Sequence, residues 1–160
     1  MQHDAGVSPL DHPQVVALPP LIYAGAFGVG LILEGIMRTD VPGPVLRFGL
    51  GGLLLFFGLA LMAVALLAFR AVGTHVEVYL PTTTLVTTGP YRLTRHPIYL
   101  GMTSAYLGAG LLTDSLWVLL LVVPALGVMH YGVVLREEVY LAGKFGARYR
   151  DYILSVRRWM

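Results

Sequence analysis

Two short polar stretches carry most of the side chains in this chain that could do chemistry. The first, GPYRLTRHPIYLG at residues 89–101, holds two arginines, a histidine, two prolines and two tyrosines. The second, REEVYLAGKFGARYRDY at residues 136–152, sets the adjacent carboxylates Glu137 and Glu138 among basic and aromatic residues. Carboxylates, guanidinium groups and an imidazole are the types that grip a charged small molecule and move a proton. Pro90 and Pro97 fix φ on either side of the histidine and stiffen that loop. The first stretch runs straight into an apolar segment, so it reads as a knot that holds a cofactor at a membrane surface.

The elements that must position these residues follow from composition and hydropathy. The chain has 160 residues, 56% hydrophobic and only 12% charged, against about 25% charged in a soluble domain. The solvent is therefore lipid. Four apolar runs stand out: Val15–Met37, Val45–Leu67, Ile98–Thr113 and Leu116–Leu135. A helix needs about 20 apolar residues to cross the hydrocarbon. The first, second and fourth runs reach that length; the third is short and needs its neighbours to span. None alternates as a barrel strand does. The expected fold is all-α and integral to the membrane, with four transmembrane helices, a C-terminal helical hairpin and an interfacial cytoplasmic helix. Residues 1–160 are expected to form a single membrane domain, 1–72 giving two N-terminal spans and 73–160 the cofactor-binding part.

Charge sets the orientation. With a cytoplasmic N-terminus, one side holds Arg70, Arg92, Arg95, Arg136, Lys144, Arg148, Arg150, Arg157 and Arg158, and the other only Arg38 and Arg47. That asymmetry predicts a multi-pass protein with both termini cytoplasmic. Residues 1–14 contain Asp4 and Asp11 but no Lys or Arg, so the first run is expected to be a permanent span rather than a cleaved leader. Pro19 and Pro20 fall where the first turn of helix one belongs.

The turn at Asp114 and Ser115 makes the third and fourth runs an antiparallel hairpin. The start of one and the end of the other then lie side by side, which makes His96 and Glu137 neighbours in space. Gly101, Ala105 and Ala109, with Ser104 and Gly108 beside them, give helix three the small-residue spacing that lets backbones approach in lipid. Gly49, Gly51 and Gly52 offer the same to helix two. Beyond Leu135 the helix is expected to continue, with Gly146 as its C-cap. The segment ARYRDYILSVRRW then turns Tyr149, Tyr152, Ile153 and Val156 to one face, the pattern of a basic helix lying along headgroups.

LVTTGPYRLTRHPIYLG, followed about forty residues later by REEVYLAGKFGARYRDY, resembles the isoprenylcysteine carboxyl methyltransferase and phospholipid methyltransferase superfamily of integral-membrane enzymes. The similarity covers about residues 73–159. It implies S-adenosylmethionine as methyl donor, bound at a cytoplasmic-facing pocket, with a lipophilic or lipid-linked acceptor approaching from the membrane. By motif, Thr84, Leu85 and Val86 match the stretch lining the cofactor pocket, and Tyr91 the tyrosine that closes the loop. His96, Pro97 and Tyr99 match the His-Pro-x-Tyr contact segment, and Glu137 the glutamate that contacts the cofactor. The family's substrate-linked arginine, four residues before that glutamate, is Val133 here, and Arg136 is the nearest replacement. Such a cofactor needs a partner for its amine, either Glu137 or Glu138, and one for its carboxylate, either Arg95 or Arg92. An amine acceptor would also need a base, either His96 or Glu138. The expected partners are that acceptor and membrane lipids, with no nucleic acid.

Other residues carry plainer readings. Glu34 is expected to pair with Arg38, and the C-terminal arginines to anchor headgroups. His130, inside helix four, is either functional or packed on a backbone carbonyl. His75 and Glu77 have no second ligand pair, so no metal site is expected. The chain has no cysteine, which removes disulfides and thiol nucleophiles. Two alternatives stay open: a membrane reductase using NADPH, because sterol reductases share C-terminal patterns, and a non-catalytic membrane scaffold.

Overall fold

A computed structural model describes residues 13–73 and 83–159. His75 and Glu77, and the N-terminal aspartates Asp4 and Asp11, lie outside the described residues. All regular structure among the described residues is helical. Helix α1 spans Pro19–Ile36, α2 Gly51–Ala71, α3 Pro97–Leu112, α4 Leu116–Met129, α5 Leu135–Phe145 and α6 Ala147–Ser155. Wider π-helical turns at Val45–Leu50 and His130–Val134 join α2 and α4 to their neighbours, and a 3₁₀ turn covers Gly89–Arg92.

Three helices are long and apolar enough to cross a membrane: Pro19–Ile36, Val45–Ala71 and Leu116–Phe145. The last is one continuous rod in which the π turn links α4 to α5. Helix α3 has 16 residues, below the length needed to span alone. It is packed along α2 and joined to α4 by the expected turn. Asp114 takes a left-handed φ of 57° there, and the Ser115 hydroxyl caps α4 by accepting from the Val118 N–H. Arg47 and the Val41 N–H both bind the Asp114 carboxylate, which ties this turn to the start of α2.

Lipid gives helices no hydrophobic reason to associate, so close packing and buried hydrogen bonds must do it. Sequence spacing had marked α3 for this role, and α2 supplies the matching surface. A Cβ on Gly58 would lie 2.5 Å from both the Gly101 carbonyl oxygen and the Ala105 nitrogen. The Ser104 hydroxyl donates across the same contact to the Leu54 carbonyl at 2.8 Å. Of the three glycines expected to help at the start of α2, Gly51 abuts α3, whereas Gly52 faces open space. Glu34 spends its carboxylate on the backbone N–H and hydroxyl of Thr39, closing the end of α1.

The π turn at the end of α4 has a visible use. A widened turn frees backbone groups from the helical ladder. The Gly132 carbonyl accepts from the Val16 N–H at 3.0 Å, and the missing Cβ at Gly132 makes room for the Val16 side chain. That contact pins the segment leading into α1 beside the α4–α5 rod. At the opposite end of the rod, Gly146 takes φ 53° and ψ −119°, ending α5 as expected and turning the chain into α6. Tyr149, Tyr152 and Val156 face inward from α6, while Ile153 lies partly exposed instead of joining them.

Candidate functional site

The two polar stretches meet at the end of the bundle formed by the start of α3 and by α5. The loop before α3 is fixed from several sides. Val86 and Tyr91 bury against Ala65, and Leu85 packs on the Tyr149–Tyr152 cluster of α6. The Tyr152 hydroxyl donates to the Tyr91 carbonyl at 2.7 Å. Pro97 is fully buried at the first turn of α3, so the preceding His96 is delivered at a defined point.

A cavity of about 280 Å³ opens beside this loop. Tyr91, Arg95, His96, Tyr99 and Glu137 form its polar end. Met62, Leu66 and Phe69 from α2, Ile98 and Met102 from α3, and Leu18, Pro19 and Pro20 from the start of α1 form its apolar walls. A second space of about 330 Å³ lies among α1, α2 and α3, lined by Tyr23, Phe27, Ala105 and Tyr106 among others. The two share Pro20, Met62 and Met102. A largely apolar chamber with one charged end thus adjoins an apolar slot among the helices.

The expected neighbourhood of His96 and Glu137 is present. His96 Nδ1 lies 3.9 Å from Glu137 Oε2, and the Tyr99 hydroxyl donates to that same oxygen at 2.7 Å. The His96 ring stacks on Tyr99 with centroids 5.5 Å apart. Glu137 keeps part of its side chain accessible at the cavity wall.

Glu138 behaves differently. It points away from the cavity and is buried, only 9% exposed, among cations. Arg158 holds it with two hydrogen bonds, Nε to Oε1 at 2.9 Å and Nη2 to Oε2 at 2.7 Å. Arg95 Nη1 adds a third contact at 3.0 Å and His96 Nε2 a fourth at 3.2 Å, both to Oε1. Arg158 is therefore a structural partner of a buried carboxylate, where sequence reasoning had it anchor headgroups.

Of the residues singled out in sequence, Tyr91, Arg95, His96, Tyr99 and Glu137 line one chamber. Leu85, Val86 and Pro97 support it from behind, and Glu138 braces it. Thr84 is exposed on the loop. Arg136 is exposed and donates to the Gln14 carbonyl at 2.8 Å, so it secures the entry to α1 rather than lining the chamber. Val133, at the position of the family arginine, is fully buried core. Arg92 is exposed and does not line the chamber, which leaves Arg95 as the cation at its wall. The walls from α1 and α2 were missed, since Met62, Leu66 and Phe69 carry no signal that separates them from lipid-facing residues. His130 meets Tyr131 edge-on at 4.9 Å and lies 6.5 Å from Trp159.

Some polar atoms here are not paired within the chain. Arg95 Nε is buried without a hydrogen-bond partner among the described residues, and so is the Tyr149 hydroxyl. Burial, followed by the nearby Glu138 charge, dominates and pushes Tyr149 up to about 12, although Arg95 lies close enough to that hydroxyl to favour its ionised form by hydrogen bonding and by charge. No three His, Cys, Asp or Glu side chains gather as metal ligands among the described residues.

Fold and site together define an all-helical membrane protein whose chamber carries one charged end and adjoins an apolar slot. The sequence pattern of the phospholipid methyltransferase family matches residues 46–148, well over half of the chain, and the chain belongs to that family. Its members fall in the isoprenylcysteine carboxyl methyltransferase-like group of membrane methyltransferases. The match takes in all of α2, where no signature had been legible. The chain is also 42% identical over 62 residues to the cobalt-zinc-cadmium resistance protein CzcN of Cupriavidus metallidurans, covering 39% of this chain and 29% of that one. It is 35% identical over 71 residues to the nickel-cobalt-cadmium resistance protein NccN of Alcaligenes xylosoxydans xylosoxydans, covering 44% and 33%. The matches span about a third of the length of these relatives.

Proposed function

We propose that this protein is an S-adenosylmethionine-dependent methyltransferase acting on a lipophilic or lipid-linked acceptor at the cytoplasmic membrane face. The observation that carries this reading is the chamber itself, in which Glu137, Arg95, His96, Tyr91 and Tyr99 converge within the matched family span. The donor set suits the cofactor. Glu137 would pair with the ammonium group, and Arg95, the cation at the chamber wall, would pair with the carboxylate. Phe69, Tyr91 and Tyr99 offer aromatic faces to the adenine and the sulfonium. S-adenosylmethionine supplies an electrophilic methyl group when bound. The protein's own work is alignment and exclusion of water, for which the apolar walls of α1, α2 and α3 are suited.

The apolar slot supports a lipophilic acceptor, because its shared residues Pro20, Met62 and Met102 lead from the depth of the helices to the chamber. O-, S- and N-acceptors all fit this outline. A carboxylate or thiolate would need no base, while an amine would give up a proton to His96, since Glu138 is engaged by two arginines. The arginine asymmetry supports cytoplasmic termini and a cytoplasmic chamber. We read the whole as one membrane domain whose cofactor-binding part, residues 73–160, draws on α2 for a wall. The names of the two relatives raise metal handling as another role, but no ligand grouping among the described residues favours it.

The test is calorimetric binding of S-adenosylhomocysteine to detergent-purified protein, with Glu137→Ala and His96→Ala beside wild type. Saturable binding that weakens at least about tenfold in Glu137→Ala is expected, from loss of a charge-assisted contact. Folded wild-type protein that binds NADPH and not S-adenosylhomocysteine would replace the reading with a reductase; binding of neither would leave the scaffold.

A further inference from the structure

We propose that Arg158, in the segment after α6, is a positioning residue that acts through Glu138 to set which edge of the His96 ring faces the chamber. Two hydrogen bonds from Arg158 and one from Arg95 hold both oxygens of Glu138, so its carboxylate cannot rotate. Oε1 then lies 3.2 Å from His96 Nε2. A carboxylate oxygen only accepts, so the neutral imidazole must carry its proton on Nε2. Nδ1 is left as the unprotonated nitrogen, 3.9 Å from Glu137 Oε2 at the chamber wall and beyond hydrogen-bond distance of it.

The same segment holds the ring by two further routes. The Arg157 carbonyl accepts from the Arg95 N–H at 3.1 Å, and the Arg158 carbonyl accepts from the Thr94 hydroxyl at 2.9 Å. These bonds clamp the residues just before His96. Trp159 lies tilted against the ring at 5.7 Å, while Tyr99 stacks on it. His96 itself is 5% exposed, so it has little freedom that these contacts do not control. Arg158 touches nothing in the chamber. Its influence on a bound molecule is indirect, and that influence rests on the cofactor reading given above, whereas the state of the ring does not.

The experiment uses full-length protein labelled with ¹⁵N-histidine in detergent micelles, at about pH 8.5, above the ordinary imidazole range. His96 signals are identified by their loss in His96→Gln. Wild type is expected to show one tautomer, protonated at Nε2, and any other state overturns the proposal. Arg158→Ala is expected to give a mixture of tautomers and about a tenfold loss of S-adenosylhomocysteine affinity, with Arg158→Lys restoring part of both. An unchanged His96 signature in folded Arg158→Ala overturns it. If that variant does not fold, Arg158→Met, which keeps the bulk of the side chain but none of its donors, is read in its place, and an unchanged signature there has the same force. Wild-type protein that fails to bind S-adenosylhomocysteine but shows the expected ring behaviour would sink the cofactor reading and leave the positioning role standing.

Discussion

Gly58→Ala is the most direct test of how the chamber's walls are held. The added Cβ would sit 2.5 Å from two backbone atoms of α3, where ordinary contact begins at 3.4 Å. Backbone cannot swing aside as a side chain can, so α2 and α3 must part locally by about 0.9 Å, the difference between those distances. Overpacking of this kind costs about 1–3 kcal/mol, and alanine's better helix propensity returns at most about 1 kcal/mol. The Ser104–Leu54 hydrogen bond, close to the wedge, would stretch and add about 0.6 kcal/mol. The expected net loss is about 1–3 kcal/mol. Met62 and Met102 lie within one turn of the wedge and line the chamber, so ligand affinity should fall as well. Gly52→Ala is the control, because nothing lies within 4 Å of its Cβ position, and it should be neutral or slightly stabilising. The assay is reversible unfolding in mixed micelles, followed by near-ultraviolet circular dichroism. Equal stability of the two variants would refute the close-packing argument.

Three further outcomes are expected. Tyr99→Phe removes the donor 2.7 Å from Glu137 and should weaken S-adenosylhomocysteine binding about fivefold in calorimetry without loss of fold; unchanged affinity would detach that hydroxyl from binding. Burial and then Glu138 raise Tyr149 from its ordinary 10 to about 12, so the neutral phenol's contribution is complete below pH 10 and is lost as pH rises through about 12. Alkaline unfolding curves should therefore flatten in Tyr149→Phe over that window, and an identical slope would count against the shift. Asp114→Asn keeps a residue that tolerates φ 57° and can still accept from Val41, but it loses the ion pair to Arg47. With both side chains over a quarter exposed, the cost should be at most about 1 kcal/mol and should shrink as salt is added to the unfolding assay.

The membrane fold was legible because lipid imposes a long, uniform apolar run on each spanning helix, and the turn and cap residues mark the ends. Pro19, Pro97, Ser115 and Gly146 each stand at a helix boundary for the reason that their chemistry suggests. The π turns were not legible, since His130–Val134 has the same composition as the helix around it and only the docking of Val16 on Gly132 gives it a purpose. Proximity of His96 to Glu137 followed from the hairpin, but the separate fates of Glu137 and Glu138 did not. Adjacent residues on a helix point about 100° apart, and which one meets the chamber depends on what packs behind the other. Arg158 looked like one more member of a basic tail because its partner is twenty residues away and across an elbow. Ile153 fits the inward stripe of α6 by spacing, yet the cluster is already filled by Tyr149, Tyr152 and Val156.

One wall of the chamber differs in origin from the rest. Its charged end is built from residues 91–99 and Glu137, inside the matched family span, whereas Leu18, Pro19 and Pro20 of the opposing wall precede that span. The wall reaches its place through the packing of α1 along α4, with Val16 on Gly132 and Arg136 on Gln14 pinning the segment that leads into it. Substitutions before residue 21 can therefore reshape that one wall while leaving the charged end untouched. Such an architecture is evolvable: redrafting a single N-terminal turn would recontour one side of the cavity while its charged end is inherited intact.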